Sequence, residues 1–256
     1  MSIKIVDVHA HLTHELFASD LDLVLRKAVD SGVVKVITST LRYYEIEEAL
    51  RIKNNYRNMV EVTIGCWPGI FDYKEIDEIM EKILSMSQSL VGVGEVGLDF
   101  SLVRDHVLRS IQIENFRKWL RIADELALPL ILHIRRAEKV AYRILKAMST
   151  SIPVIFHAYS GSLDLVKDLI KEKNFFFSIP PSVCKSNTKQ RLVSLLPIEK
   201  ILLESDAPYL HPFGYSRNEP LNVVYSLSKI ASIKRMPIED LAAVIYSNTL
   251  DVFRLR

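Results

Sequence analysis

The chain has 256 residues, of which 49% are hydrophobic and 25% charged, with a formal net charge of +2. That length and composition suit one large globular domain, 1–256, and leave no bulk positive charge with which to coat nucleic acid. A nucleic-acid substrate would have to be gripped locally. The two cysteines, Cys66 and Cys184, cannot form a disulfide framework and lack Cys-x-x-Cys spacing, so they read as free thiols in a reducing compartment.

The first residues, "MSIKIVDVHAH", enter a strand pattern at once, which predicts no signal peptide and a cytoplasmic location. No run of about 18 apolar residues follows, so no membrane span is expected. Short apolar runs then alternate with amphipathic stretches: "IKIVDV", "VVKVITS", "VEVTIG", "LVGVGEV", "LPLILHI", "IPVIFHA", "FFFSI" and "EKILLES". Their nearly continuous hydrophobicity suits parallel strands buried on both faces. The clearest helical stripe covers residues 105–127, with Ile113, Phe116, Leu120, Ala123 and Ala127 spaced by threes and fours. Eight strand–helix alternations in a chain of this length predict a single-domain (β/α)8 TIM barrel. A doubly wound open sheet is the alternative, but it rarely needs eight strands at this size.

In such a barrel the active site lies at the C-terminal ends of the strands. The first run leads into Asp7, His9 and His11, the fourth ends in Glu95, the fifth in His133, the sixth in His157, and the eighth in Glu204 and Asp206. His9 and His11, two apart on an extended chain, can share a face and grip one ion. Imidazole and carboxylate together suit divalent metals such as magnesium, manganese or zinc, and two ions about 3.5–4 Å apart can activate one water. Any one of these residues alone would more simply be a satisfied strand-end polar group. Their joint placement predicts a two-metal centre. His14, His106 and His211 read as ordinary loop or surface residues.

The segments "DVHAHL", "GEVGLDF", "LPLILHIRRA", "HAYSGS", "LLESDAPYL", and "RNEP" followed by "SNTLDVF" resemble, in that order, the motifs of the TatD-like metal-dependent deoxyribonucleases of the amidohydrolase superfamily. Gln112 and Phe116 also fit the family's helix before the fifth strand. The resemblance implies that His9, His11 and Asp206 bind one divalent ion, and that Glu95 bridges to a second ion completed by His133 and His157. It further implies a DNA substrate trimmed from a 3′ end, with Arg135 a phosphate contact and Arg217 and Asn218 on the substrate side. One departure is "GCWPG", which places Trp67 where the family usually has a histidine that does not bind metal. An indole there can stack on a base or simply pack over the barrel mouth.

These readings predict a metal-dependent hydrolase in which Asp206 and Glu95 are catalytic and Asp206 takes the water's proton. Asp7 and Glu204 orient the site from behind, while Tyr159 and Ser160 offer groups to phosphate oxygens. The same centre could instead cleave a carboxylic ester, lactone, amide or aminoacyl-tRNA ester, since a fold does not choose the bond. A noncatalytic binding barrel is the remote alternative.

Overall fold

A computed structural model describes residues 3–214 and 217–255. Eight parallel strands run in sequence order: β1 (Ile5–Ala10), β2 (Val33–Ser39), β3 (Val60–Ile64), β4 (Gly92–Asp99), β5 (Leu130–Arg135), β6 (Val154–Phe156), β7 (Phe175–Ile179) and β8 (Ile201–Leu203). The seam between first and last strand is closed by the chain just beyond β8. There Asp206 N donates to His9 O at 2.9 Å and His11 N to Ala207 O at 2.7 Å. The barrel and its single-domain architecture are as the apolar runs predict.

Nine helices among the described residues coat the barrel: α1 (Leu21–Asp30), α2 (Ile46–Asn55), α3 (Tyr73–Met86), α4 (His106–Glu125), α5 (Glu138–Met148), α6 (Leu163–Leu169), α7 (Asn187–Leu195), α8 (Val223–Lys234) and α9 (Ile238–Phe253). None is long and apolar enough to cross a membrane. The α4 helix begins where the Asp105 side chain accepts from Leu108 N, satisfying one of the free amides of the first turn. It buries Phe116, Leu120 and Ala123 against the barrel. The predicted stripe overruns at its end: Ala127 adopts φ +51° in the turn to β5, outside the helix, and is exposed.

Two apolar layers fix the architecture. The larger lies between sheet and helices; the smaller fills the barrel interior with Val6, Val8, Ile37, Ile131, Ile155 and Leu202, backed by Val252 and Phe253 of α9. Because strand side chains alternate, residues two beyond three of these interior positions project into the barrel nearer its C-terminal mouth. Those residues are His133, His157 and Glu204. The interior core therefore forms the floor of the polar site.

Candidate metal centre

Glycine and local backbone geometry let the strands deliver their polar residues. A Cβ on Gly65 would strike the backbone of Gly94 and Glu95, and one on Gly97 (φ +151°) would strike His133 O, so neighbouring chains approach more closely than any other residue permits. The β4 strand also shifts register against β5 between Val93 and Val96. Glu95 therefore lies in mid-strand, whereas the apolar run suggested a strand end. The actual end is Asp99. Past β6 and β8, Ala158 (φ +43°) and Asp206 (φ +55°) hold left-handed conformations that cost a non-glycine residue energy, as is common where side chains are aimed into a site.

The four imidazoles are all anchored from behind. His11 Nδ1 lies 3.2 Å from Ser39 O and so donates to it. His9 Nδ1 lies 3.0 Å from Ser39 Oγ, which also bonds Thr63 Oγ1 at 2.8 Å. His133 Nε2 is 3.1 Å from Asp99 Oδ2, and His157 Nδ1 is 2.9 Å from Glu204 Oε2. Such anchors fix each ring's tautomer and turn its other nitrogen towards a ligand.

Those other nitrogens converge on two carboxylates. Glu95 Oε2 lies 2.9 Å from His9 Nε2 and 3.4 Å from His11 Nε2, while its Oε1 lies 2.8 Å from His133 Nδ1. Asp206 Oδ1 lies 3.6, 3.5 and 3.9 Å from Nε2 of His9, His11 and His157. Two sets of donor atoms, from His9, His11 and Asp206 and from His9, Glu95 and His157, each fit within 4.8 Å. Glu95 thus turns one oxygen towards His9 and His11 and the other towards His133.

The donor set fits divalent cations on an observation independent of the motifs. His9 Nε2 is fully buried and, although 2.9 Å from Glu95 Oε2 and 3.6 Å from Asp206 Oδ1, makes no well-aligned hydrogen bond among the described residues. A buried nitrogen lone pair facing carboxylate oxygens is costly unless a cation lies between them. Protonation tells the same story. Burial alone would lower His11 and His133, but hydrogen bonds to Asp206 and Glu95 for the first, and to Asp99 and Glu95 for the second, push each up to about 10. Burial drives His9 down. Burial would raise Glu95, yet the imidazoles of His11, His133 and His9 hold it well below the usual carboxylate range. The site thus concentrates negative charge that positive charge must offset.

Behind this layer, Asp7 Oδ1 accepts from Ser205 N at 2.7 Å and Oδ2 from Ser205 Oγ at 2.5 Å, tying β1 to the loop carrying Asp206. Burial pushes Asp7 up to about 8 despite these donors. Glu204 accepts from Ser178 Oγ at 2.6 Å and Ala158 N at 2.8 Å besides His157. Asp99, whose part in the site the spacing of the motifs does not reveal, is held by Ser101 N and Oγ at 2.8 and 2.5 Å. Its backbone N donates to Gln112 Oε1 at 3.1 Å, which gives Gln112 of α4 its buried place.

Beside the centre lies a cleft of about 260 Å³ lined by residues including His133, Arg135, His157, Ser160, Lys189 and Asp206. Arg135 and Ser160 are exposed there. The remaining expected substrate contacts are placed elsewhere. Tyr159 is buried against Phe156 and Phe177, its hydroxyl donating to Ser162 O at 3.0 Å. Arg217 makes two 2.8 Å hydrogen bonds to Asp20 and one of 2.6 Å to Glu219. Asn218 is fully buried, its Nδ2 donating to Ser205 O at 2.7 Å and its Oδ1 accepting from Glu219 N and Asn222 Nδ2. The half-buried Trp67 ring covers Gly69 and does not line the cleft.

A parallel (β/α)8 barrel with imidazoles and carboxylates gathered at its mouth is the architecture of a metal-dependent hydrolase. The chain belongs to the TatD-related DNase family, whose sequence model matches residues 6–254. It is 32% identical to an uncharacterized metal-dependent hydrolase of Methanocaldococcus jannaschii over 99% of this chain and 98% of that one. It is 31% identical to human deoxyribonuclease TATDN3 over 98% of this chain and 95% of that one. Among solved structures, a TatD homologue from Escherichia coli superposes with a TM-score of 0.91 at 23% identity over 100% of both chains, a likeness of fold.

Proposed function

We propose that this metal-dependent hydrolase is a deoxyribonuclease that removes nucleotides from a 3′ end of DNA. The observation that supports the metal centre is the buried His9 Nε2, which faces Glu95 at 2.9 Å without a well-aligned hydrogen bond among the described residues. The choice of a phosphodiester is supported by the family, by the deoxyribonuclease named among its relatives, and by the cationic Arg135 at the cleft.

His9, His11 and Asp206 would hold one divalent cation, and Glu95, His133 and His157 a second, with Glu95 bridging. Bound magnesium, zinc or manganese supplies Lewis-acid activation of a water and offsets charge on the attacked phosphoryl group. Asp206 Oδ1, facing three imidazole nitrogens, receives the attacking water's proton as the water oxygen bonds to phosphorus; the phosphorus–ester oxygen bond breaks and the departing oxygen takes up a proton to leave as a hydroxyl. Glu204 and Asp99 keep His157 and His133 turned inward. Arg135 and Ser160 hold phosphate oxygens at the open side of the cleft.

The test is hydrolysis by metal-reconstituted protein of single-stranded DNA, RNA, aminoacylated RNA and simple carboxylic esters. The proposal expects DNA to be cut fastest, with mononucleotides released from the 3′ end. Faster turnover of an ester or of aminoacylated RNA would move the same centre to a different bond.

A further inference from the structure

Lys189, in the first turn of α7, reaches into the same cleft although no motif points to it. Its half-buried side chain donates from Nζ to Ala158 O at 3.0 Å. An ammonium carries three donors, and this hydrogen bond uses one. Among the described residues no carboxylate pairs with it. The nearby acids are committed elsewhere: Glu204 to His157, Ser178 and Ala158 N, and Asp206 to the imidazoles. Burial pushes the Lys189 amine down, and Ala158 O is its one protein hydrogen-bond acceptor among the described residues.

We propose that Lys189 binds a non-bridging oxygen of the substrate's phosphate and so makes the cleft selective for anionic phosphodiesters over neutral esters. The inference rests on the phosphodiester reading given above. Three features carry it: a single protein hydrogen bond from the ammonium, no carboxylate partner among the described residues, and a place on the wall shared with His133, His157 and Asp206. A phosphate oxygen would complete the ammonium's hydrogen bonds and return the charge interaction lost with water. A neutral ester returns much less, leaving the cation desolvated. Arg135, on the same wall but exposed, adds attraction with less positional constraint.

A purely structural role, tethering the left-handed Ala158 turn, would produce a different result, and binding separates the two. The ligands are a phosphorothioate-linked thymidine dinucleotide, which resists cleavage, and uncharged thymidine. Each is titrated against metal-loaded wild type, Lys189→Gln, Lys189→Met and Lys189→Arg, with metal content and thermal melting recorded for all. The expected result is dinucleotide binding weaker by about ten- to a hundredfold in both neutral variants, the loss of one hydrogen bond to a charged group. Lys189→Arg should recover most of it, while metal content and thymidine affinity stay as in wild type. Unchanged dinucleotide affinity in the neutral variants, or equal weakening for thymidine, would overturn the assignment. If wild type itself neither prefers the dinucleotide nor cuts unmodified DNA, the phosphodiester reading fails too; if it cuts DNA and only the Lys189 result is negative, that reading survives.

Discussion

The inner wall of the mouth and its outer rim are built to different standards. On the inner wall, each of the four imidazoles has one nitrogen pinned to Ser39, Asp99 or Glu204 and the other aimed at Glu95 or Asp206. On the rim, Arg135 and Ser160 stand exposed beside the cleft, while Arg217 and Asn218 are absorbed into ties between the loops after β1 and β8. The reason is solvation. A buried polar group must be satisfied by the protein and therefore has one position, whereas an exposed one can be satisfied by water in many. Burial fixes a side chain's position without saying what it faces: Asn218, as buried as the imidazoles, is held by Ser205, Glu219 and Asn222.

The largest effect that would sharpen this contrast is at Asp206. Asp206→Asn should reduce DNA hydrolysis by about 10²–10⁴-fold while leaving far-UV circular dichroism unchanged, as expected for removal of a proton acceptor. Wild-type turnover would remove Asp206 from the chemistry. One layer further out, Asp99→Asn should weaken metal binding by about 10–100-fold, because His133 loses the acid that fixes its ring. A metal titration of the purified variant reads this directly.

Proton linkage gives the next effect. His11 and His133, raised to about 10, hold protons at neutral pH in metal-free protein, and a cation must displace them to reach the same nitrogens. Metal affinity should therefore rise with pH up to about 10 and fall on acidification, by about tenfold per pH unit for each proton displaced. Calorimetry in buffers of different ionisation enthalpy counts those protons. An affinity flat between pH 6 and 8 would contradict the linkage. The smallest effect belongs to the buried tie behind the rim: Asn218→Ala should cost about 1–3 kcal/mol of stability by leaving Ser205 O and Asn222 unpaired, measured by denaturant unfolding. A loss confined to substrate binding would return Asn218 to the substrate side.

Much of the architecture was readable because eight apolar runs have no other economical burial, and because alternation carries Ile131, Ile155 and Leu202 on to His133, His157 and Glu204. What escaped the sequence depends on geometry that spacing does not encode. Gly94 and Gly97, both at positive φ, with the register shift in β4, move Glu95 into the strand and bring Asp99 to its end. Lys189 looks like any lysine on a polar helix, and only the approach of α7 to the β6 turn brings it to the cleft. Arg217 and Asn218 lie in a matching motif, yet a motif does not say whether its side chains face substrate or one another.

The proposed two-cation centre joins six side chains through Glu95. Elemental analysis of dialysed wild type and Glu95→Gln, each normalised to folded chain, tests it most directly. About two divalent ions per wild-type chain and a clear loss in Glu95→Gln are expected. Wild type holding less than one ion, or a variant holding as many as wild type, would contradict it.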